Sequence, residues 1–301
     1  MANLRDIRRR IKSVKNTAQI TRAMQLVAAS RMKKAQEQAT SGRSYADLLN
    51  KVLVNLKEQT DEDQHPLLED RQGDRELVLV ISTDKGLCGP LNTNVLRMVA
   101  DEVGPDADFV TIGNKGRQSL SRSNRNLVAD FPMKDPAGFA ETKVVSKYLM
   151  EQFLTGKYDV VKVAFTNFVN TIKQDAMIET LLPIRPIDLG RDKSFVGMSN
   201  ESDAIDIDGE HPESGGSGYI FEPSPEKVLD TVVPQYVGNQ VFQMILENRA
   251  SEHSARMVAM KAATDNANEM IKDLTLDYNK QRQAAITAEL LEITTAMKAL
   301  E

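Results

Sequence analysis

Apolar residues recur at helical spacing near both ends of this chain. Near the amino terminus they fall into two sets with a change of phase between them: Leu4, Ile7, Ile11, Val14 and Ala18, then Met24, Val27, Ala28, Met32 and Ala35. Near the carboxyl terminus the rhythm of three and four residues also appears twice: Met260, Ala263, Ala267, Met270 and Leu274, then Ile286, Leu290, Ile293, Met297 and Leu300. A sustained heptad spacing is typical of a left-handed coiled coil.

Prolines are absent from both of these stretches, and glycines are nearly absent. All 11 prolines lie between Pro66 and Pro234, and the last glycine is Gly238. Because proline interrupts the helical hydrogen bonds and glycine lowers helix propensity, the pattern predicts long helices over residues 1–57 and 235–301. We expect the two helices to lie antiparallel, since the chain has to return. At 1.5 Å per residue they would measure roughly 85 to 100 Å.

The middle of the chain has a different pattern, typical of an α/β fold. Three short apolar runs predict buried strands: 77–81, 109–112 and 160–165. Amphipathic segments predict helices between them: 92–102, 115–121 and 136–154. Strands that alternate with helices predict a Rossmann-like α/β domain over 75–187, with a mostly parallel sheet covered on both faces. Residues 173–184 predict one further strand at an edge.

An acidic, Gly/Ser-rich segment follows at residues 188–218. It ends in the letters ESGGSG, and its composition is too polar to form a packed core, so we expect a mobile insertion. It contains no cysteine, which excludes a thiol–disulfide switch within it. Residues 219–234 lie between this insertion and the predicted carboxyl-terminal helix.

Candidate catalytic and cofactor motifs are weak or missing. The chain has 301 residues, a single cysteine and three histidines without metal-ligand spacing, so neither a disulfide framework nor a metal site is expected. It lacks the P-loop, GxGxxG and GxSxG motifs. The turn from Gly86 to Gly89 after the first strand has only two glycines, and Cys88 within it is expected to be a buried structural thiol. No apolar window is long enough to span a bilayer, which leaves only a peripheral membrane role.

Positive charge is concentrated at the amino terminus. Residues 1–57 carry 13 Lys and Arg against 3 acidic residues, whereas the whole chain has a net charge of −5. A mitochondrial presequence, a nucleic-acid-binding arm, a charged shaft facing acidic partner loops and a merely solvated helix face are all compatible with this charge. The helical stripe continues to about residue 35, which disfavours a removable peptide. The absence of tryptophan and the aromatic content of 5% disfavour nucleic-acid binding.

Three segments together carry a resemblance to a known family. They are ITRAMQLVAASRMKK at 20–34, STDKGLCG at 82–89, and ASEHSARMVAMKAATDNAN at 250–268 followed by YNKQRQAAITAELL at 278–291. These segments closely resemble the gamma subunits of rotary ATP synthases. The resemblance runs through the whole chain apart from the acidic insertion.

The resemblance implies a non-catalytic central stalk without a cofactor of its own. Its coiled coil would stand inside a ring of three alpha and three beta subunits, and its α/β domain would lie near the epsilon subunit and the membrane proteolipid ring. Proton flow would turn the ring and the stalk, and the stalk would drive each catalytic beta subunit through its states. Neither nucleic acid nor directly bound nucleotide is expected. A helix that begins at the initiator methionine favours a bacterium, with the protein at the cytoplasmic face of its plasma membrane.

The resemblance also assigns roles to individual residues. Those expected to contact the beta subunits and transmit torque are Arg8, Arg9, Met24, Lys33, Arg256, Arg282, Gln283, Thr287 and Glu292. Those expected in an apolar bearing around the tip are Ile293, Met297 and Leu300. Those expected in the foot that touches the proteolipid ring, within residues 219–234, are Tyr219, Phe221 and Glu222. Each of these positions could equally be an ordinary solvated surface.

Overall fold

The computed structural model describes residues 4–57, 65–71, 73–184, 222 and 224–300. In chain order its elements are α1 (Leu4–Lys57), β1 (Glu76–Ile81), α2 (Leu91–Glu102), β2 (Asp108–Ile112), α3 (Asn114–Arg122), β3 (Asn126–Phe131), α4 (Phe139–Leu154), β4 (Val160–Phe168), β5 (Gln174–Leu182) and α5 (Pro225–Leu300). The predicted mobile insertion at 188–218 lies outside the described residues. Two compact units are distinguished, one formed by residues 30–255 and the other by the two chain ends.

The residues from 30 to 255, here called the α/β unit, contain a five-stranded sheet of order β3-β2-β1-β4-β5. All neighbouring strands are parallel except β5, which pairs antiparallel with β4. Leu79 of β1 lies between Val110 of β2 and Val163 of β4. The mostly parallel sheet and the edge strand expected at 173–184 are therefore confirmed.

Both faces of this sheet are covered by helices. Leu77, Leu79 and Ile81 face a core that contains α1, α4 and α5, whereas Val78 and Val80 face a smaller core that contains α2 and α3. The alternation of side chains along a strand explains why β1 reads as a continuous apolar run, because both of its faces are buried.

Parts of both long helices belong to the α/β unit. Leu53 and Leu56 of α1 and Val233, Val237 and Val241 of α5 are buried in the larger core. Both helices are thus anchored on the same sheet face by apolar burial, which is the main source of stability in such packing.

Two features of the α/β unit differ from the sequence-based expectation. β3 was not predicted, because Asn126–Phe131 has only half-buried or exposed residues and no apolar run. α5 begins at Pro225 rather than at 235 and includes Pro234. The proline removes one backbone hydrogen bond, but the buried Leu229 and Val233 hold the first turns against the core. Part of the predicted 219–234 segment is therefore helical.

The second unit, here called the coiled-coil unit, is formed by α1 up to Ala29 and by α5 from Arg256 onward. Thr21 Oγ1 lies 2.7 Å from Thr264 Oγ1, and Arg8 Nη2 donates to the Tyr278 hydroxyl at 3.0 Å. Because the partner number rises on α5 as the number falls on α1, the helices are antiparallel, as expected.

The seam of the coiled coil keeps one heptad phase along α1, and the predicted change of phase is wrong. Ile7, Ala18, Thr21 and Ala28 are buried, whereas Val27 is 53% exposed. On α5, Met270 was also placed in the apolar seam by its spacing, but its side chain is 53% exposed. The spacing of apolar residues predicted the wrong seam positions because a polar residue, threonine, occupies a seam position on each helix.

These seam threonines satisfy their hydroxyl groups locally. Their oxygens are 2.7 Å apart, so one hydroxyl donates to the other, and the accepting hydroxyl donates in turn to a carbonyl of its own helix: Ala18 O is 3.1 Å from Thr21 Oγ1, and Met260 O is 2.8 Å from Thr264 Oγ1. A buried hydroxyl costs free energy only when it lacks a partner. Small seam residues between these contacts, such as Ala18 and Ala267, allow the two backbones to approach closely.

Candidate functional site

The residues expected to contact beta subunits are largely exposed on the coiled-coil unit. Arg9, Arg282, Gln283, Thr287 and Glu292 are all exposed, whereas Met24 and Arg256 are half-buried. A solvent-facing polar surface of this kind is available to a partner, but exposure alone does not identify that partner.

Arg8 and Lys33, both expected contact residues, have intramolecular partners. Arg8 donates to Tyr278, and its guanidinium lies 5.6 Å from the centre of that ring. Lys33 belongs to the α/β unit, where its ammonium lies 3.8 Å from Glu37 one helical turn later. The exposed Lys33–Glu37 pair contributes little to stability and leaves the lysine able to exchange partners.

The carboxyl-terminal part of α5 exposes a series of large apolar side chains. Their exposed fractions lie between 49% and 65%, and the residues are Ile286, Leu290, Leu291, Ile293 and Met297. The side chain of Leu300, assigned to the same bearing, lies outside the described part of the chain. A contiguous exposed apolar surface usually marks an interaction site.

The foot assignment falls mostly outside the described residues. Tyr219 and Phe221 lie outside them, and Glu222 is exposed shortly before α5 begins. The foot therefore stays a prediction.

The carboxyl edge of the parallel strands is where doubly wound sheets ordinarily bind phosphate groups. Here the backbone N–H groups at the start of α3 already have acceptors within the protein. Asn114 N donates to Asp84 Oδ1 at 3.1 Å, and Lys115 N donates to the Thr83 carbonyl at 3.0 Å. Gly116 N donates to the side chain of Ser82 at 2.8 Å. This helix start does not offer the donors that a nucleotide phosphate requires.

The Gly86–Gly89 turn is held from within by a polar cluster. Asn92 Nδ2 donates to Thr83 Oγ1 at 2.8 Å and lies 3.4 Å from Cys88 Sγ, while Asn92 Oδ1 accepts from Thr83 N at 3.1 Å. Cys88 is buried, which confirms the expected burial of this thiol.

An ionic cluster in the α/β unit was not anticipated from the sequence. Asp135, in the loop between β3 and α4, lies 2.8 Å from Arg31 Nη1 of α1 and 3.3 Å from His253 Nε2 of α5. Hydrogen bonding with His253 lowers the pKa of Asp135 to about 2, desolvation opposes the shift, and the charges of Arg249 and Arg31 lower the pKa further. One carboxylate thus links a loop of the sheet to both long helices.

This lowered pKa predicts an acid-dependent loss of stability. A carboxylate whose pKa falls from 3.8 to about 2 on folding stabilises the fold above pH 4, and this contribution disappears as the pH falls towards 2. We expect that between pH 4 and pH 2 the wild-type unfolding free energy drops by about 1 kcal/mol more than that of Asp135→Asn, after allowance for partial solvent screening. Urea unfolding at a series of pH values measures this difference.

The matched control is Asp101→Asn, which neutralises an exposed carboxylate near the end of α2. It should retain the wild-type pH dependence. Parallel curves for wild type and Asp135→Asn across this interval would contradict the assignment.

The described residues contain neither a helix apolar and long enough to cross a membrane nor a cluster of side chains suited to a metal ion.

Comparison with known proteins places these features in a family. Residues 3–300 match a family model described as ATP synthase. An ATP synthase gamma chain of Akkermansia muciniphila is 48% identical over 301 residues, which cover 100% of both chains. The chain belongs to the ATP synthase gamma-chain family. Another member, from Opitutus terrae, is 46% identical over 296 residues and spans 98% of each chain.

Solved structures of ATP synthases share the fold. A chain of the Euglena gracilis mitochondrial ATP synthase, in a structure of its OSCP, F1 and c-ring, matches with a TM-score of 0.65 and 20% identity, over 99% of this chain and 94% of that one. A chain from the central stalk and c-ring of the Tetrahymena thermophila enzyme matches with a TM-score of 0.58 and 24% identity, over 81% and 99%. The fold of this chain is therefore shared with chains of these two ATP synthase structures.

Proposed function

We propose that this gamma chain is the central rotor shaft of an ATP synthase, coupling proton-driven rotation of a membrane ring to conformational cycling of catalytic beta subunits. Family membership supports this role, and two chains of similar fold come from structures described as a rotor and as a central stalk. The partners would be three alpha and three beta subunits per gamma chain, an epsilon subunit and the proteolipid ring.

The single observation that carries the proposal is the exposed apolar tip of α5. A helix that leaves between 49% and 65% of the surface of Ile286, Leu290, Ile293 and Met297 exposed is costly in water. A surrounding apolar sleeve removes that cost, and its contacts are non-directional, so they oppose rotation less than hydrogen bonds would. We assign Ile293, Met297 and Leu300 to this bearing.

A second part of the proposal concerns the polar surface of the coiled-coil unit. The basic face of α1, which includes Arg9, and the exposed Arg282 and Gln283 of α5 suit acidic or polar loops of beta subunits. One elementary charge crossing 100 mV releases about 2.3 kcal/mol. The energy of several such charge movements must reach each active site through this surface.

We further propose that the chain has no catalytic centre and binds no nucleotide itself. The occupied N–H groups at the start of α3 support this. As part of a bacterial ATP synthase it would lie peripherally at the cytoplasmic face of the plasma membrane. We also propose that Tyr219, Phe221 and Glu222 form the foot that touches the proteolipid ring. Residues 188–218 are proposed to be a mobile insertion that contacts the epsilon subunit.

The test is a double substitution, Arg282→Ala with Gln283→Ala, in gamma chain assembled with alpha and beta subunits and the membrane ring. We expect the rates of ATP hydrolysis and ATP synthesis to fall about tenfold, which corresponds to a rise of roughly 1.4 kcal/mol in the activation free energy. The reason is that both side chains are lost from the surface that faces the beta subunits. Steady-state hydrolysis and synthesis in proteoliposomes measure the effect.

The matched control is Asn268→Ala with Lys272→Ala, which removes one amide and one positive charge from exposed positions of the same helix. It should retain near-normal rates. Normal activity of the Arg282 and Gln283 variant would remove the contact assignment, and equal losses in both variants would show that no particular surface is used.

A further inference from the structure

A run of polar residues on α5 is buried around the whole helix. All eight residues from Glu247 to Ser254 are at most 5% exposed, although only Ala250 among them is apolar. Eight residues make more than two turns, so every side of α5 is covered here. We call Glu247–Ser254 the polar collar.

One side of the polar collar is bonded to the end of β4 and the turn that follows it. Asn248 Oδ1 accepts from the backbone N–H of Thr166 at 3.3 Å, and Ser251 Oγ donates to the carbonyl oxygen of Thr166 at 3.2 Å. One turn later, Ser254 Oγ donates to the carbonyl oxygen of Thr171 at 2.8 Å. These contacts join side chains of the helix to the backbone of the sheet.

Another side is bonded to the loop between β3 and α4. Arg249 Nη2 donates to the carbonyl oxygen of Met133 at 3.2 Å, and His253 Nε2 lies 3.3 Å from Asp135 Oδ2. Arg249 Nη1 also donates to Glu252 Oε2 at 2.9 Å, which holds the guanidinium in place. The loop and the β4–β5 turn both extend from carboxyl ends of parallel strands, so the helix occupies the edge that such sheets commonly offer to ligands.

Apart from Asn248, which points between them, the two sets of contacts leave the helix in roughly opposite directions. With about 100° between successive residues, Ser251 and Ser254 point to one side of α5, whereas Arg249 and His253 point to roughly the opposite side. Bonds on opposite sides of an axis resist rotation about that axis more effectively than the same bonds on one side. The polar collar therefore opposes turning of α5 within the α/β unit.

Stability alone does not explain these residues. Buried ion pairs and polar groups incur a desolvation cost, and well-packed apolar replacements are often neutral or stabilising. Apolar burial has no preferred direction, however, while hydrogen bonds weaken steeply as their angle changes. The polar collar provides directionality that the apolar contacts of Val233, Val237 and Val241 lack.

We propose that the polar collar is the joint that fixes the rotational angle of α5 in the α/β unit and so passes torque from that unit into the shaft helix. The collar side chains act as positioning residues and take no part in the chemistry of ATP. The inference rests on the proposed rotor function.

The test compares two variants in the fully assembled enzyme. The first, Arg249→Met with Ser251→Ala and Glu252→Leu, makes the collar more apolar and removes both charges of the buried pair together, so that neither is left alone. The second, Val241→Ala, is a matched control that removes a fully buried apolar contact from the same helix. Ser251→Ala with Ser254→Ala is the milder variant to use if the first does not assemble.

The readout is the torsional stiffness of the rotor. A bead is attached through Asp106→Cys, on the exposed turn between α2 and β2, and its angular fluctuations are recorded while the head is stalled without nucleotide. Because directional bonds are lost, we expect the mean-square fluctuation to rise about twofold in the collar variant. In Val241→Ala it should stay at the wild-type value, although this variant lowers the melting temperature.

Proteoliposome assays give a second readout. The collar variant should pump fewer protons per ATP hydrolysed, with hydrolysis itself retained. Wild-type fluctuations and pumping ratio in the collar variant, or the same rise in fluctuation in Val241→Ala, would overturn the proposal. Failure of the rotor function itself would be seen separately, because the unmodified chain would then not assemble or rotate with alpha and beta subunits.

Discussion

Gly113→Ala is expected to lower the free energy of unfolding by at least about 3 kcal/mol. Gly113 precedes α3 with φ of 98° and ψ of 142°, a conformation that is strained for any residue with a Cβ atom. An added methyl group would also meet the backbone carbonyl of Ser82 at the end of β1, which has little freedom to move. Both effects act at the carboxyl edge of the sheet, where Ser82 Oγ donates to Ile112. Urea unfolding of the isolated chain, followed by circular dichroism, measures the loss.

Substitutions at two other glycines separate the cost of backbone strain from the cost of the steric clash. At Gly89, φ is 61° but an added methyl group meets nothing within 4 Å, so Gly89→Ala should cost only about 1 kcal/mol of conformational strain. At Gly138 the backbone is extended and the space is open, so alanine should be nearly neutral. A Gly113→Ala variant no less stable than Gly89→Ala would contradict the close approach of β1 and the α3 start.

Phe165→Ala is expected to cost about 3 to 5 kcal/mol. The Phe165 ring is fully buried in the larger core, on the sheet face that holds α1, α4 and α5. Its removal leaves a cavity that neighbouring strands cannot close, because β4 is paired on both sides. The midpoint of urea unfolding should shift accordingly, and assembly with partner subunits should weaken at physiological temperature.

Phe139→Ala is the control for the same chemical change at a different depth. Phe139 is 46% exposed and makes an edge contact with Phe242 at 5.4 Å between ring centres. Its loss should cost about 1 kcal/mol. Similar losses for Phe139→Ala and Phe165→Ala would contradict the difference in burial between the two rings.

The helical and strand content of the chain was largely predictable because its signals are local. The absence of proline and the spacing of apolar residues predicted α1 and most of α5. The apolar run at 77–81 predicted a strand covered on both faces. β3 escaped detection because an edge strand with half-exposed residues carries no comparable run. The start of α5 was placed too late because proline is tolerated there by tertiary packing at Leu229 and Val233.

The candidate site was only partly predictable. Arg282, Gln283, Ile293 and Met297 are exposed, and the roles that the family resemblance assigns to them stay predictions. The polar collar was missed, although one signal was available: seven polar residues between Glu247 and Ser254, in a helix with apolar residues on both sides of that run. Polar residues in a helix normally indicate solvent, so the pattern by itself favoured an exposed face.

The sequence by itself determined which segments are helical, the α/β character of the middle and the gamma-chain family, because periodicity, helix breakers and motifs are properties of consecutive residues. Only the tertiary structure decided that Thr21 and Thr264 lie in the seam, that Asp135 joins both long helices to the sheet, and that Glu247–Ser254 are buried. Whether a polar side chain is buried depends on partners far away in the chain. Its burial becomes favourable only when those partners are brought within hydrogen-bonding distance.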